Sequence, residues 1–231
     1  MKKALAGFYA LKLDRLFYRL WRYNPIALVR LYGHHAFDRR FGVLTRGYSD
    51  LRYEPTPVSA FEQFVKALRE EEANLDDFVF VDVGSGKGKA VLLASNYPFK
   101  KVVGVERYEE FHQTALKNIG KFSKSKCQCE SIELECIDAA YYSWPIEPLI
   151  LYFFNPFSVD ILKQVLSNIE VSIEKHPRPL YIIYYAPIIF RGSPWDRRRL
   201  FDESKHLMVV KAENDFTLYR SSYREADEKI L

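Results

Sequence analysis

Apolar and polar positions follow two alternating patterns from residue 78 onward, and together they predict a sheet covered by helices. Five nearly unbroken apolar runs predict strands of a parallel sheet buried on both faces: residues 78–83, 101–106, 132–137, 148–154 and 180–186. Segments with helical spacing separate them, the clearest running from Ser158 to His176-Pro177. Two β-rich segments, 205–211 and 216–219, flank a turn at 213–215 and predict an antiparallel hairpin. The expected fold class is α/β, a doubly wound, mostly parallel seven-stranded sheet with an antiparallel C-terminal edge hairpin.

The first 56 residues have a different pattern and predict an N-terminal helical extension. Apolar residues at helical spacing from Leu5 to Leu20, with a basic stripe beside them, predict an amphipathic helix that Asn24-Pro25 ends. This helix docks on the rest of the protein, the interpretation we favour, or binds a membrane surface or RNA. Residues 33–53 predict a long ordered loop. Thr56-Pro57 predicts the next helix start, with the Thr56 hydroxyl as its cap. We divide the chain into an extension or cap, 1–56, and an α/β domain, 57–231.

Composition and charge limit the size of the core, the partners and the location that we expect for the protein. The chain has 231 residues, of which 48% are apolar, enough for one full domain with a proper core. Its net charge of +4 is too small to indicate nucleic acid by itself, and no apolar run has the about 18 residues of a spanning helix. We therefore expect a protein that is soluble or at most peripheral to a membrane.

Three cysteines and an N-terminus without a leader pattern predict reduced thiols and a cytoplasmic location. Cys127 and Cys129 lack the second pair of ligands that a zinc site requires, so no metal is expected.

Residues 78–107 contain the most informative motif, a strand, a glycine-rich turn, a helix and a second strand. The glycines Gly84, Gly86 and Gly88 let backbone pass close to a bound nucleotide, because they have no Cβ and tolerate positive φ. A dinucleotide fingerprint would require a third glycine where Lys89 stands, and a Walker A loop would require Ser or Thr where Gly88 stands. The turn therefore indicates a nucleotide-binding site of another kind.

The same unit resembles the first motif of class I S-adenosylmethionine-dependent methyltransferases. Four elements agree with that motif in register: Asp82 two residues before the first glycine, the G-S-G-K-G turn, Glu106 closing the second strand, and Ile137-Asp138 closing the third. A longer stretch, from Phe37 to about Tyr185, is similar to bacterial class I methyltransferases of undefined substrate. The resemblance implies S-adenosylmethionine as the cofactor and makes residues 57–231 a Rossmann-like methyltransferase domain.

The resemblance also implies roles for individual residues. The turn from Gly84 to Gly88, including Ser85 and Gly86, would approach the methionine moiety, with Asp82 near its ammonium group. Glu106 would accept hydrogen bonds from both ribose hydroxyls, and Asp138 would accept one from the adenine amino group. The further cofactor contacts that it implies are Arg107, Ile137 against the adenine ring, Asn155 facing the methyl group, and Tyr53 and Thr56 from the extension.

Asn155-Pro156-Phe157, after the fourth predicted strand, is the candidate catalytic motif. It resembles the N-P-P-Y/F motif of amino-group methyltransferases, in which the amide and a backbone carbonyl hold the acceptor nitrogen and the aromatic ring stacks on it. This chain has one proline instead of two, and the alternative interpretation is a turn that ends the strand. Candidates for lining the acceptor pocket are aromatic residues that also suit the core: Tyr141, Tyr142, Trp144, Tyr184 and Tyr185.

The sequence therefore predicts an S-adenosylmethionine-dependent methyltransferase with an undefined acceptor, for which a protein or small-molecule amine is the first candidate. Because the sulfonium of the cofactor already activates its methyl group, catalysis would consist largely of in-line positioning of the acceptor. Two alternatives stay open. One is a nicotinamide-dependent oxidoreductase on the same sheet. The other is a noncatalytic cofactor-sensing module that docks to membrane or RNA through its basic N-terminal helix.

Overall fold

The computed structural model describes residues 35–45, 54–72, 74–122, 127–155, 157–186 and 196–222. The predictions for the basic N-terminal helix, for Tyr53 and for Pro156 fall outside these ranges. They stay predictions here.

The strands form one mixed sheet. Their bounds are β1 Val79–Val83, β2 Lys101–Glu106, β3 Ser131–Cys136, β4 Leu149–Phe154, β5 Leu180–Tyr185, β6 Leu207–Ala212 and β7 Phe216–Ser221. The seven strands lie in the order β3-β2-β1-β4-β5-β7-β6. Neighbours among β1 to β5 pair in parallel, whereas β7 is antiparallel to both β5 and β6. The predicted fold class is confirmed, including the antiparallel hairpin at the C-terminal edge.

Helices cover both faces of this sheet. They are α1 Val58–Glu71, α2 Lys89–Ala94, α3 Glu109–Lys121, α4 Val159–Lys175 and α5 Arg198–Asp202, with a short 3₁₀ turn at Ala139–Tyr141. Helix α4 has the predicted N-cap, since the Ser158 hydroxyl accepts a hydrogen bond from the Ile161 N–H. It ends at Lys175 with His176 as its C-cap, as the following proline predicts.

Two apolar clusters hold the layers together, one on each face of the sheet. Because successive side chains of a strand point to opposite faces, Phe80 and Tyr152 join the cluster under α1 and α2, while Val81 joins the one under α4. The first cluster is rich in aromatic rings: Phe61 and Phe64 of α1 both contact Tyr152, with ring centroids 6.1 and 5.6 Å apart. Such rings bury large apolar areas and fix the helix on the sheet.

The prediction of a loop over residues 33–53 is wrong for part of that range, because residues 35–41 are helical. Phe37 and Phe41 lie one helical turn apart with ring centroids 4.9 Å apart, and Phe41 also contacts Phe122 after α3 at 4.9 Å. Phe37 and Val43 belong to the cluster under α1. Two rings at this spacing supply an apolar face that the surrounding charged residues obscure in the sequence.

The prediction that Thr56 caps α1 is also wrong. The N-cap position of α1 is Pro57, and no side chain caps it. The Thr56 hydroxyl instead lies 2.9 Å from the Tyr152 hydroxyl, and both side chains are buried. A buried phenol requires a hydrogen-bond partner, and Thr56 supplies it.

Strand β6 forms one edge of the sheet. Its pairing with β7 is interrupted by a register shift between Val209 and Lys211. The Lys211 ammonium lies 2.6 Å from the Glu70 carboxylate of α1, which ties this edge to the helix layer. Val209 itself is half exposed.

Candidate functional site

The glycine-rich turn between β1 and α2 has the backbone conformation that only glycine adopts easily. Gly84, Gly86 and Gly88 all have positive φ, at 84°, 53° and 79°. The N–H groups of Gly84 and Ser85 both donate to the Val105 carbonyl at 2.9 Å, which pins the turn to the end of β2. The turn is therefore a rigid cradle at the carboxyl edge of the sheet, where ligands bind in such folds.

Glu106 ends β2 directly beside this cradle. One oxygen of its carboxylate accepts from the Gly86 N–H and the other from the Tyr108 N–H, each at 2.8 Å. Burial raises the pKa of Glu106, whereas these backbone hydrogen bonds act in the opposite direction. Each oxygen has a second lone pair. The fixed carboxylate can therefore accept two adjacent hydroxyl groups.

Asp82 lies in β1, one strand away, between Gly104 and Tyr152 of the neighbouring strands. Its side chain is only 4% exposed, and none of the described residues gives its carboxyl group a hydrogen bond. Burial, and then the nearby Glu106 carboxylate, raise the pKa of Asp82 to about 8. A buried carboxyl group beside a second one favours a cationic ligand group, because a positive charge would stabilise the ionised form of both.

Asp138 follows β3 and is held in two ways. One oxygen accepts from the Ala140 N–H at 3.0 Å, which caps the 3₁₀ turn, and the other lies 3.2 Å from the Arg107 guanidinium. The Ile137 N–H donates to the Glu106 carbonyl at 3.1 Å, so the ends of β2 and β3 stay together. The structure thus brings Asp82, Glu106 and Asp138 to one edge of the sheet around the cradle.

Ser85 and Gly88, two residues predicted to contact the cofactor, pack against the protein on their side-chain side. A Cβ at Gly104 of β2 would lie 3.0 Å from the Ser85 hydroxyl oxygen, so this hydroxyl points to the strand beneath the turn. A Cβ on Gly88 would lie 3.1 Å from the Ala115 Cβ of α3. Gly88 therefore allows close packing between the turn and α3, and a contact of either residue with the cofactor would have to be made through backbone atoms.

Asn118 of α3 is a residue of the site that the sequence reasoning missed. It is 2% exposed and makes three hydrogen bonds: its oxygen accepts from the Leu44 N–H, and its amide nitrogen donates to the carbonyls of Leu44 and Lys87. It thereby joins the segment 35–45 to the glycine-rich turn. The signal was present, since Asn118 has helical spacing to Ala115 within α3 and to Phe122 directly after it, and a polar residue on such an apolar face requires partners.

Lys89, which stands where a dinucleotide fingerprint would have its third glycine, is almost completely buried. Its ammonium lies 4.8 Å from the centre of the Phe37 ring, a cation–π contact with the same segment 35–45. Burial lowers the pKa of Lys89 to about 8, and the nearby Asp38 carboxylate opposes that shift.

Asn155 follows β4 and has a φ of 40°, a left-handed conformation that Asn tolerates better than most residues. Its side-chain oxygen accepts from the Tyr184 hydroxyl at 2.8 Å and from the Arg197 guanidinium at 3.0 Å. The Arg197 N–H also donates to the Tyr184 hydroxyl, at 3.3 Å. Arg197 was missed in the sequence because its contact spans 42 positions. No local spacing reveals such a contact.

The remaining candidates differ in their surroundings. Among the aromatic residues, Tyr142 and Trp144 pack edge to face in the core and Tyr185 is buried, whereas Tyr141 is 78% exposed. The Phe157 ring contacts Phe153 of β4. Within the described ranges, no three His, Cys, Asp or Glu side chains are grouped to hold a metal ion, and no helix is both long and apolar enough to cross a bilayer.

Comparisons with known proteins agree with this architecture. No protein-family model matches the sequence, and no curated protein matches it. Among solved structures, magnesium protoporphyrin IX methyltransferase from Synechocystis PCC 6803 with bound S-adenosylmethionine is 15% identical, covers 84% of this chain and 96% of its own, and has a TM-score of 0.52. The structure of the same enzyme with bound S-adenosylhomocysteine is 14% identical, covers 84% of this chain and 98% of its own, and has a TM-score of 0.51.

A proposed RNA methyltransferase from Pyrococcus horikoshii is 17% identical, covers 78% of this chain and 91% of its own, and has a TM-score of 0.50. Identities this low show a shared fold and nothing finer. With the strand order and the glycine-rich cradle, they establish that this protein has the fold of class I S-adenosylmethionine-dependent methyltransferases.

Proposed function

We propose that the protein is an S-adenosylmethionine-dependent methyltransferase. The observation that carries the proposal is the fixed Glu106 carboxylate, which the Gly86 and Tyr108 N–H groups hold at the rim of the cradle. A carboxylate held in this way suits the two adjacent hydroxyls of a ribose. Two further acids, Asp82 and Asp138, lie on either side of it at the ends of neighbouring strands.

The chemistry of these groups fits the cofactor part by part. Asp82, buried and without a described hydrogen-bond partner, would take the ammonium group of the methionine moiety. The oxygens of Asp138 would accept from the adenine amino group, with Ile137 against the ring. When bound, the cofactor supplies an electrophilic methyl group on a sulfonium. The protein's own residues bind and orient it.

The glycine turn does not favour the nicotinamide alternative. A dinucleotide fingerprint uses its third glycine for close packing of helix and strand, and here the buried Lys89 fills that position and contacts Phe37 instead. The alternative of a docking module depends on the basic N-terminal helix, which lies outside the described residues.

Calorimetric titration with S-adenosylmethionine tests the cofactor assignment. We expect the full-length protein to bind it, and Glu106→Gln to weaken binding at least about tenfold, because an amide cannot accept from both N–H groups and still accept from a ribose. The matched control is Glu110→Gln, which changes an exposed carboxylate in the first turn of α3. Thermal melts verify that both variants fold.

Two results would contradict the proposal. One is the absence of S-adenosylmethionine binding by the intact protein, and the other is equal binding by the wild type and the Glu106→Gln variant. Tighter binding of NAD than of S-adenosylmethionine would favour the oxidoreductase instead.

The amine acceptor that the N-P-P-Y/F resemblance implies is less well supported. In that motif the Asn oxygen accepts a hydrogen bond from the acceptor nitrogen. Here the Asn155 oxygen already accepts from Tyr184 and Arg197. These two hydrogen bonds leave the Asn155 oxygen without a free lone pair for an acceptor nitrogen.

A further inference from the structure

The side-chain amide of Asn155 has a fixed orientation. An arginine guanidinium can only donate hydrogen bonds, so the atom of Asn155 that lies 3.0 Å from Arg197 must be the oxygen. The Tyr184 hydroxyl receives the Arg197 N–H and so turns its own proton to the same oxygen. Both lone pairs of that oxygen are therefore engaged.

This orientation leaves the amide nitrogen of Asn155 as the group that a ligand can meet. The side chain is partly exposed, and among the described residues the nitrogen has no acceptor for its two N–H bonds. The pairing of Val83 with Phe153 places the end of β4 beside the glycine-rich turn that follows β1. The side chain of Asn155 thus offers hydrogen-bond donors, and no free acceptor, at the carboxyl edge of the sheet next to the cradle.

Resting on the proposed methyltransferase function, we propose that the methyl acceptor is a carboxylate, held through one oxygen by the amide nitrogen of Asn155. A lone pair of the carboxylate that this hydrogen bond leaves free attacks the methyl carbon. The methyl–sulfonium bond breaks as the oxygen–methyl bond forms, and the products are a methyl ester and neutral S-adenosylhomocysteine. No proton is lost, since a carboxylate is already ionised at neutral pH.

The surroundings of Asn155 disfavour the other acceptor atoms. An amine nucleophile must keep its lone pair for the methyl group and needs an acceptor for its N–H bonds, which the engaged oxygen does not provide. A hydroxyl nucleophile must lose a proton. The phenol next to Asn155 is Tyr184, and burial raises its pKa to about 12 while its proton is held by Asn155. The positive charge of Arg197 beside the amide further favours an anionic acceptor.

Alkaline lability of the transferred methyl group tests the acceptor class even while the individual substrate is unidentified. Purified protein and S-adenosylmethionine labelled with tritium in the methyl group are incubated with protein and small-molecule fractions of an extract from cells that lack the gene. Mild alkali hydrolyses a methyl ester and releases volatile labelled methanol, whereas methylamines and methyl ethers keep their label. We expect the label in the active fraction to be released by alkali.

The matched variant is Asn155→Asp, which keeps the shape of the side chain, an oxygen for Tyr184 and Arg197, and a residue type that tolerates positive φ. It replaces the donating nitrogen with an oxygen that repels a carboxylate. We expect transfer to fall at least about a hundredfold, and calorimetry verifies that the variant still binds S-adenosylmethionine. If Tyr184 acts only by positioning Asn155, Tyr184→Phe should slow transfer in the wild type and have no additional effect in the Asn155→Asp background.

The possible outcomes separate this inference from the function on which it rests. Label that resists alkali, or transfer that Asn155→Asp leaves unchanged or increases, overturns the carboxylate assignment alone. Cofactor binding without transfer to any fraction overturns the enzymatic proposal as well. Release by alkali together with the loss in Asn155→Asp supports both.

Discussion

At the scale of single residues, the buried Asp82 combines a stability cost with a binding role. Its pKa of about 8 in the folded protein lies above its ordinary value of 3.8, so the folded state holds this proton more tightly than the unfolded state does. The stability contributed by the protonated group is complete below about pH 4 and is lost as the pH rises towards 8. A cationic ligand group would restore it by pairing with the ionised carboxylate.

Asp82→Asn should therefore stabilise the ligand-free protein at pH 7, by about 2–4 kcal/mol, because the carboxyl group must take up a proton on folding at this pH, whereas an amide is already neutral. It should also flatten the dependence of the free energy of unfolding on pH between about 4 and 8. The same variant should lose affinity for S-adenosylmethionine. Urea unfolding at several pH values and calorimetry check both effects.

The control for this prediction is Asp77→Asn, an exposed aspartate shortly before β1. It should change neither stability nor affinity measurably. A destabilised Asp82→Asn variant at pH 7 would show that the carboxyl group of Asp82 is stabilised in the folded protein, against the stated direction of its pKa.

The residue scale also shows why part of the site was predictable. Asp82 was identifiable because an acid inside an apolar strand is costly unless it has a function. Glu106 and Asp138 were identifiable because strand ends meet at one edge of a parallel sheet. Arg197 and the hydroxyl of Tyr184 were not predicted as partners of Asn155, since their hydrogen bonds depend on how distant segments pack.

At the scale of elements, the segment 35–45 is held onto the α/β domain by polar and apolar contacts together. The Asp38 carboxylate accepts from the N–H and the hydroxyl of Thr45, which closes the turn after the helix at 35–41. Asn118 then joins Leu44 to the glycine-rich turn through Lys87. The sequence suggested a polar loop here because the apolar face of this short helix consists of only two rings, Phe37 and Phe41.

Asn118→Ala should destabilise the protein by about 2–3 kcal/mol, because it leaves the Leu44 and Lys87 backbone groups without their partners. Amide hydrogen exchange should accelerate around residues 44–45 and in the glycine-rich turn, and affinity for S-adenosylmethionine should fall with it. Exchange measured by mass spectrometry, with urea unfolding, checks this.

Gln113→Ala, on the exposed face of the same helix, provides the comparison. Among the described residues its side chain bonds Glu109 alone, one turn away at the surface, so stability should change by less than about 0.5 kcal/mol. Exchange in the glycine-rich turn that stayed slow in the Asn118→Ala variant would mean that the Val105 carbonyl and the Glu106 carboxylate hold this turn without Asn118.

At the scale of the whole molecule, the amino ends and the carboxyl ends of the parallel strands have different roles: the carboxyl ends carry the candidate site, and the amino ends contribute to stability. Arg178, just before β5 at the amino edge, is 4% exposed. Its guanidinium donates to the carbonyls of Glu147, Ser172 and His176 and to the Ser172 hydroxyl, which joins the end of α4 to the loops before β4 and β5. Burial lowers the pKa of this guanidinium.

Arg178→Met should lower the free energy of unfolding by about 2–4 kcal/mol, because it keeps a similar apolar stem but removes the guanidinium that donates to three carbonyls. Affinity for S-adenosylmethionine should not change, since the cradle lies at the opposite edge of the sheet. Urea unfolding and calorimetry on the same preparation measure both quantities.

The comparison variant is Arg199→Met in α5, where the arginine side chain is 87% exposed and, within the part of the chain that the structure describes, pairs with Glu203 alone. Its stability should stay within about 0.5 kcal/mol of the wild type. A loss of cofactor affinity in Arg178→Met, under conditions where the protein is fully folded, would show that the two edges are coupled.

The overall architecture was predictable because its signals are redundant. Long apolar runs separated by helical spacing leave few arrangements other than a parallel sheet between helices, and the turn at 213–215 fixes the final hairpin. The cap of α1 was not predictable to the same degree. The Thr56 hydroxyl can pair with the N–H groups of the first turn of α1 or with the distant Tyr152 hydroxyl, and the packing of the core decides between them.

The irregular pairing of β6 has a consequence for the behaviour of the protein in concentrated solution. An uninterrupted outer strand presents a straight row of unpaired peptide groups, onto which the outer strand of another copy can add. The shift between Val209 and Lys211 breaks the regularity of that row, and the ion pair of Lys211 with Glu70 holds the strand against α1 at the break. The interrupted row gives the outer strand of another copy no continuous line of peptide groups to pair with, so we expect little growth into extended β aggregates despite the half-exposed Val209.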